Sequence, residues 1–184
     1  MRLLGISGSL RRGSYNTRLL RAAARLLPPG AALELWDRLR EVPVYSEDDD
    51  QAPAPEPVRA LRAAIASAHA LFIATPEYNR SVPGQLKNAL DWASRPFPLN
   101  ALRNKPVAVV GASIGAFGAV WAQAELRKVL GASGARVLDR EFLLGPAAEA
   151  FGSDGKLTDP EAERQLADIL DELRLESAPV RRVA

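Results

Sequence analysis

Two rhythms of hydrophobic and polar positions alternate along this chain. Short runs that are apolar almost throughout stand at 2–6 (Arg2-Leu3-Leu4-Gly5-Ile6), 70–74 (Ala70-Leu71-Phe72-Ile73-Ala74) and 106–110 (Pro106-Val107-Ala108-Val109-Val110). Continuous apolar runs of this length predict strands buried on both faces, as in the middle of a parallel sheet. Between them, apolar residues recur three and four apart: Leu19, Leu20, Ala23, Leu26 and Leu27, then Val58, Leu61, Ile65 and Ala68, then Leu86, Ala89, Leu90 and Ala93. That spacing predicts helices at 14–27, at 57–68 and from Pro83 onward. Weaker patterns predict strands at 32–36 and 136–138 and helices at 119–130 and 160–175, the last opened by Thr158-Asp159-Pro160-Glu161. Five strands alternating with five helices predict an α/β three-layer sandwich around a five-stranded parallel sheet.

The loops after the apolar strands carry the chemistry. The first, Ser7-Gly8-Ser9-Leu10-Arg11-Arg12-Gly13-Ser14, holds hydroxyls, glycines and two guanidiniums just before a helix start. Free N–H groups at the positive end of a helix attract phosphate. Three readings compete: an N-cap turn with exposed arginines, a P-loop, and a phosphomonoester cradle. Gly8, Gly13 and Ser14 match the P-loop spacing, but the lysine between the last two is missing. In the cradle reading Ser9, Ser14, Asn16, Thr17 and backbone amides hold a dianion, and Arg11 adds charge. The loop at 111–118 spaces its glycines four and three apart and so departs from the dinucleotide fingerprint G-x-G-x-x-G.

Composition narrows the classes. Cysteine is absent and His69 is the single histidine, which excludes disulfides, thiolate nucleophiles, Cys or His metal clusters and a Ser-His-Asp triad. No metal site is expected; the acidic run Glu47-Asp48-Asp49-Asp50 reads as solvated loop. An enzyme of this composition draws its chemistry from a bound cofactor. A net charge of +2 is too small to imply nucleic acid. No apolar run approaches the ~18 residues of a membrane helix, and the first apolar stretch is too short for a signal peptide, so a cytoplasmic location is expected. With 184 residues, 1–176 are expected to form one domain, and 177–184, without apolar period, a loose tail.

Two motifs carry a family resemblance. Gly8-Ser9-Leu10-Arg11, with Ser14 and Asn16, resembles the opening G-S-L-R-x-x-S-x-N of the NADPH-dependent FMN reductases, flavodoxin-like enzymes that include bacterial quinone, chromate and azo reductases. The stretch 76–92, Pro76-Glu77-Tyr78-Asn79 through Ser81, Pro83-Gly84, Leu86-Lys87-Asn88 and Asp91-Trp92, resembles the part of these reductases that contacts the flavin ring.

The resemblance implies strand order 2-1-3-4-5 and FMN at the switch between the first and third strands. It implies that Ser9, Arg11, Ser14, Asn16 and Thr17 serve the phosphate. Pro76, Glu77, Tyr78 and Asn79 would meet the ring, with backbone N–H groups of 77–79 addressing its polar edge, and Ser113 and Gly115 would approach it from the third loop. NADPH, or NADH, is the implied hydride donor, and a quinone, flavin, azo compound or metal oxyanion such as chromate the small-molecule acceptor. No catalytic side chain is implied, because the flavin carries the chemistry. A homodimer or homotetramer is implied, with Trp92, Phe117 and Trp121 as boundary candidates, although aromatic core packing explains them as well. The rival is a non-catalytic flavodoxin-like electron carrier, a class that is typically acidic where this chain is not.

Overall fold

A computed structural model describes residues 1–177. Five strands follow the chain in the order 2-1-3-4-5: β1 (Arg2–Ser7), β2 (Ala32–Trp36), β3 (Ala70–Thr75), β4 (Pro106–Ala112) and β5 (Arg136–Val137), all paired in parallel. The helices are α1 (Tyr15–Leu26), α2 (Glu56–Ser67), α3 (Gly84–Ala93), α4 (Val120–Ala132) and α5 (Pro160–Glu176).

Period two decides which helix packs where. Leu3, Phe72, Ala74, Ala108 and Val110 face one side and meet α1 and α5 through Leu19, Leu20, Ala23, Leu166, Ile169, Leu170 and Leu173. Their neighbours Leu4, Ile6, Leu71, Ile73, Val107 and Val109 face the other side and meet α2, α3 and α4. Every residue of β3 and β4 is buried, as apolar strands between two helical layers must be.

The fifth position departs from a continuous strand at 136–138. The edge is split: β5 pairs the start of β4, and a second two-residue strand, β6 (Leu143–Leu144), pairs its end. The fully buried Gln123 of α4 fills the break, its amide donating to the carbonyls of Phe142 and Gly118 at 2.9 Å each. The Gln123 amide thus ties the loop before α4 to the residue that precedes β6, and both its hydrogens are satisfied.

Of the two readings of Trp92, core packing is the one that holds. It is fully buried and unavailable to a partner, because α3 turns it inward against the loop after β2. Its indole N–H donates to the carbonyl of Pro43 at 2.9 Å, and its ring meets Tyr45 edge-on at 4.9 Å. Gln85 and Asn88, on the same face of α3, bond the carbonyls of Leu39, Val42 and Pro43. The acidic run is likewise only partly solvated: Asp50 pairs with Arg62 at 2.8 Å, with both side chains about four-fifths covered. Ser177 closes α5, donating its N–H to Leu173; the rest of the expected tail lies outside the described residues.

Candidate functional site

The C-terminal ends of β1, β3 and β4 point the same way, and their three loops surround a cavity of about 320 Å³. Ser9, Arg11, Ser14, Tyr15 and Asn16 line it from the first loop, Pro76, Glu77 and Tyr78 from the second, and Ala112, Ser113 and Ile114 from the third. Two depressions of comparable volume, about 280 Å³ beside β6 and about 390 Å³ near Met1 and His69, lie away from these loops. Volume alone therefore does not single out the site; the donor set does, at the sheet end where doubly wound folds bind ligands.

The first loop is built to hold an anion. Ser14 caps α1, its hydroxyl accepting the N–H of Thr17 at 3.2 Å. The N–H groups of Tyr15 and Asn16, in the same first turn, meet no protein acceptor among the described residues. Two open donors at the positive end of a twelve-residue helix, beside the Ser9 hydroxyl, are the elements of a phosphate site. Arg11 is steadied there by the Gly13 carbonyl at 3.0 Å and by the Tyr15 ring, 5.2 Å from its guanidinium carbon.

Two residues of the expected cradle are otherwise engaged. Asn16 is buried and spends its side chain on Ala112, donating to its carbonyl and accepting its N–H, both at 2.9 Å. Its backbone N–H and the second hydrogen of its amide nitrogen remain unpaired among the described residues. The Thr17 hydroxyl donates to Ser7 at 3.0 Å and lines an adjoining cleft that shares Ser9 and Arg11 with the cavity.

The second loop is a two-residue hairpin. Tyr78 and Ser81 exchange backbone hydrogen bonds around Asn79 and Arg80, whose φ angles are +53° and +59°, a type I′ geometry. The Tyr78 N–H is thus used inside the turn, whereas those of Glu77 and Asn79 have no protein acceptor among the described residues. The Glu77 carboxylate accepts the N–H groups of Trp121 and Ala122 at 3.0 and 3.1 Å, which leaves its backbone N–H for the role the resemblance implies. It caps α4, whose own N-cap, Ala119, has no side chain to do so. Asn79 is not part of the cavity lining, and Tyr78 is half exposed at its mouth.

The first two loops touch at Gly8, where a Cβ would stand 2.8 Å from Leu86 and 3.3 Å from Pro76. In the third loop the Ser113 N–H donates to Leu144 and its carbonyl accepts from Ala147. Its hydroxyl accepts the Gly115 N–H at 3.2 Å, and Gly115 lies outside the lining. Tyr15, Ala112 and Ile114 line the cavity without having been singled out. Tyr15 follows directly from the N-cap position; the other two carry no chemical signal of their own.

Open N–H donors at one end, apolar walls at the other and a volume at the low end of ligand pockets fit a flat ring system that carries a phosphate. Among the described residues, no group of three His, Asp or Glu side chains converges on a metal position, and no helix is long and apolar enough to cross a membrane.

Comparison with known proteins agrees with this geometry. The family model of NADPH-dependent FMN reductases matches residues 1–149. An NAD(P)H-dependent FMN reductase of Pseudomonas aeruginosa is 44% identical over 176 residues, 95% of this chain and 94% of its own. A 2-hydroxy-1,4-benzoquinone reductase from a Burkholderia species is 46% identical over 70% of this chain and 69% of its own. Among solved structures, the flavoenzyme NAD(P)H:(acceptor) oxidoreductase FerB of Paracoccus denitrificans superposes with a TM-score of 0.86 at 35% identity, covering 96% of both chains.

Proposed function

This chain belongs to the NADPH-dependent FMN reductase family and is an FMN-dependent NAD(P)H oxidoreductase of the quinone reductase type, and we propose that it moves two electrons from NADPH through FMN to a small-molecule acceptor. The proposed acceptors are quinones first, then flavins, azo compounds and oxyanions such as chromate. A relative named for 2-hydroxy-1,4-benzoquinone supports the first of these.

When bound, FMN supplies the redox chemistry, taking up a hydride and releasing its two electrons to the acceptor. The residues proposed to hold it are Ser9, Arg11, Ser14, Asn16, Thr17, Pro76, Glu77, Tyr78, Asn79, Ser113 and Gly115. We divide these by role. Ser9, Arg11 and the N–H groups of Tyr15 and Asn16 bind phosphate. The N–H groups of Glu77 and Asn79 turn toward the polar edge of the ring, where fixed dipoles stabilise developing negative charge. Pro76, Tyr78 and Ile114 form apolar walls that exclude water. The side chains of Ser14, Asn16, Thr17 and Glu77 and the Ser113–Gly115 contact hold these groups in position. No protein side chain is asked to move a proton.

The observation that carries this reading is the pair of open N–H groups at the start of α1, on residues that line a cavity shared with Pro76, Tyr78 and Ile114. We read residues 1–176 as one FMN-binding unit, acting in the cytoplasm as a homodimer or homotetramer. Phe117 and Trp121, both exposed and packed against each other at the start of α4, support a subunit boundary there.

The test is direct. The purified protein is expected to take up one FMN per chain, to bleach with NADPH and to recover with a quinone in steady turnover. Uptake of FMN without turnover would favour the electron carrier. No uptake would remove the reading altogether.

A further inference from the structure

The hairpin that closes the second side of the cavity contains a residue its geometry does not favour. Asn79 and Arg80 both have positive φ, +53° and +59°. Asparagine tolerates the left-handed region, and the next position of such a turn favours glycine, because a Cβ there crowds the backbone. This chain carries arginine instead. Backbone strain of this kind persists where a side chain has work that a better-fitting residue cannot do.

The Arg80 side chain is exposed, outside the residues that line the cavity, and stands over a ring tied to one of them: Glu77, which lines the cavity, accepts the N–H of Trp121. The guanidinium lies 4.8 Å from the centroid of the Trp121 ring, which itself packs against Phe117 at 5.4 Å. The two carboxylates fixed between this loop and α4 are already committed. Glu77 accepts the N–H groups of Trp121 and Ala122, and Glu125 accepts the Ser81 hydroxyl and the Val82 N–H. Arg80 makes no hydrogen bond or ion pair among the described residues. Tyr78, two residues before it, lines the cavity. The result is a cation set on an aromatic ring, two residues along the hairpin from a lining residue, with its donors unspent.

We propose that Arg80 is an anion-recognition residue on this hairpin, taking an oxyanion of the incoming substrate. The shared chemistry is a phosphate, or an ionised oxygen on a quinone. It can come from the 2′-phosphate that distinguishes NADPH from NADH, or from an anionic acceptor. The inference rests on the FMN reductase reading, and its test separates the two sources.

KM values of the FMN-loaded wild type, Arg80→Gly and Arg80→Lys are compared in two pairs: NADPH against NADH with a neutral quinone, and an ionised hydroxyquinone against a neutral quinone with NADH. In Arg80→Gly, KM for the anionic member of one pair is expected to rise about 3- to 30-fold relative to its neutral partner, an effect that shrinks with added salt. Arg80→Lys is expected to fall between. A change confined to the NADPH pair assigns the donor's phosphate, and one confined to the quinone pair assigns the acceptor.

The melting temperature of apo-protein Arg80→Gly is expected within about 3 °C of wild type, because relief of the turn offsets the lost stacking. Calorimetric titration of the apo-protein with adenosine 2′,5′-bisphosphate reads the donor arm without flavin chemistry. Unchanged ratios in both pairs overturn the proposal. A large fall in melting temperature with unchanged ratios assigns Arg80 to the packing of Trp121, which overturns it equally. Wild-type protein that takes up no FMN defeats the flavin reading instead, and the bisphosphate titration then decides Arg80 alone.

Discussion

Asn16 and Ala112 stand 96 positions apart in the chain and are joined by two reciprocal hydrogen bonds of 2.9 Å. The side-chain amide of the first acts as a one-residue strand for the second, donating to its carbonyl and accepting its N–H. The first turn of α1 is thereby locked to the end of β4, and the two walls of the cavity keep their spacing.

Removing that amide is expected to be costly. Asn16→Ala leaves a buried N–H and a buried carbonyl without partners, at about 1–3 kcal/mol for each group. A loss of roughly 2–4 kcal/mol in urea unfolding of the apo-protein is expected, with weaker FMN binding beside it. An Asn16→Ala protein as stable as wild type would show that water replaces the amide.

The two adjacent arginines of the first loop separate geometry from net charge. Arg11 lines the cavity and is steadied by Gly13 and Tyr15, whereas Arg12 is exposed outside it. Arg11→Ala is expected to weaken FMN binding about 10-fold or more, as loss of a charge-assisted hydrogen bond does. Arg12→Ala should change it less than about 3-fold and only at low salt. Equal effects in fluorescence titrations at moderate ionic strength would mean that the loop attracts phosphate only diffusely.

Glu77 is expected to matter to the apo-protein as well as to the loaded one. Glu77→Ala removes the cap of α4 and should cost about 1 kcal/mol, or about 2–4 °C in melting temperature. Glu77→Gln keeps an acceptor and should lose less. If Glu77→Ala melts with wild type as apo-protein and differs only with FMN present, the carboxylate serves the ligand and not the helix.

Glycines in the site loops are expected to differ sharply. Gly118 has φ +52°, and a Cβ there would stand 2.5 Å from the backbone of Leu143, while a Cβ on Gly13 meets nothing within 4 Å. Gly118→Ala should lose more than about 2 kcal/mol through strain and overlap, and Gly13→Ala should change stability little. Denaturant melts of both variants test the contrast.

Acid should loosen the link between the second loop and α4. The Glu125 carboxyl is held below its usual range by the Ser81 hydroxyl, at 2.5 Å, and by the Val82 N–H, at 3.3 Å. A carboxyl whose folded pKa is depressed stabilises the fold above its unfolded pKa, and that contribution disappears as pH falls through the folded value. Glu125→Gln should therefore flatten part of the fall in stability below pH ~4.5 while mattering less under more acidic conditions. Parallel pH profiles for both proteins would exclude the contact from acid stability.

The sequence by itself determined what depends on neighbouring residues. The apolar runs of β3 and β4 could only be buried strands, because no other element hides five or six consecutive apolar side chains so cheaply. The three- and four-residue spacing placed the main helices to within a residue or two, and Ser14 ahead of α1 marked an anion-attracting helix start from local capping alone. Only the tertiary structure decided the rest. The pairing of the Asn16 side chain with Ala112 could not be read locally, because the two are 96 residues apart. That the Glu77 carboxylate caps a helix could not be read locally, because that helix starts 44 residues on. Trp92 belonged to an amphipathic helix whose far face is covered by a loop without any periodicity of its own. The split of the edge into β5 and β6 was invisible because two-residue strands are too short to carry a pattern. The left-handed turn at Arg80 follows from closure of a hairpin between Tyr78 and Ser81, a constraint that no propensity of arginine encodes. Periodicity and capping act over a few residues, and hydrogen bonds between distant loops exist only once the sheet has brought those loops together.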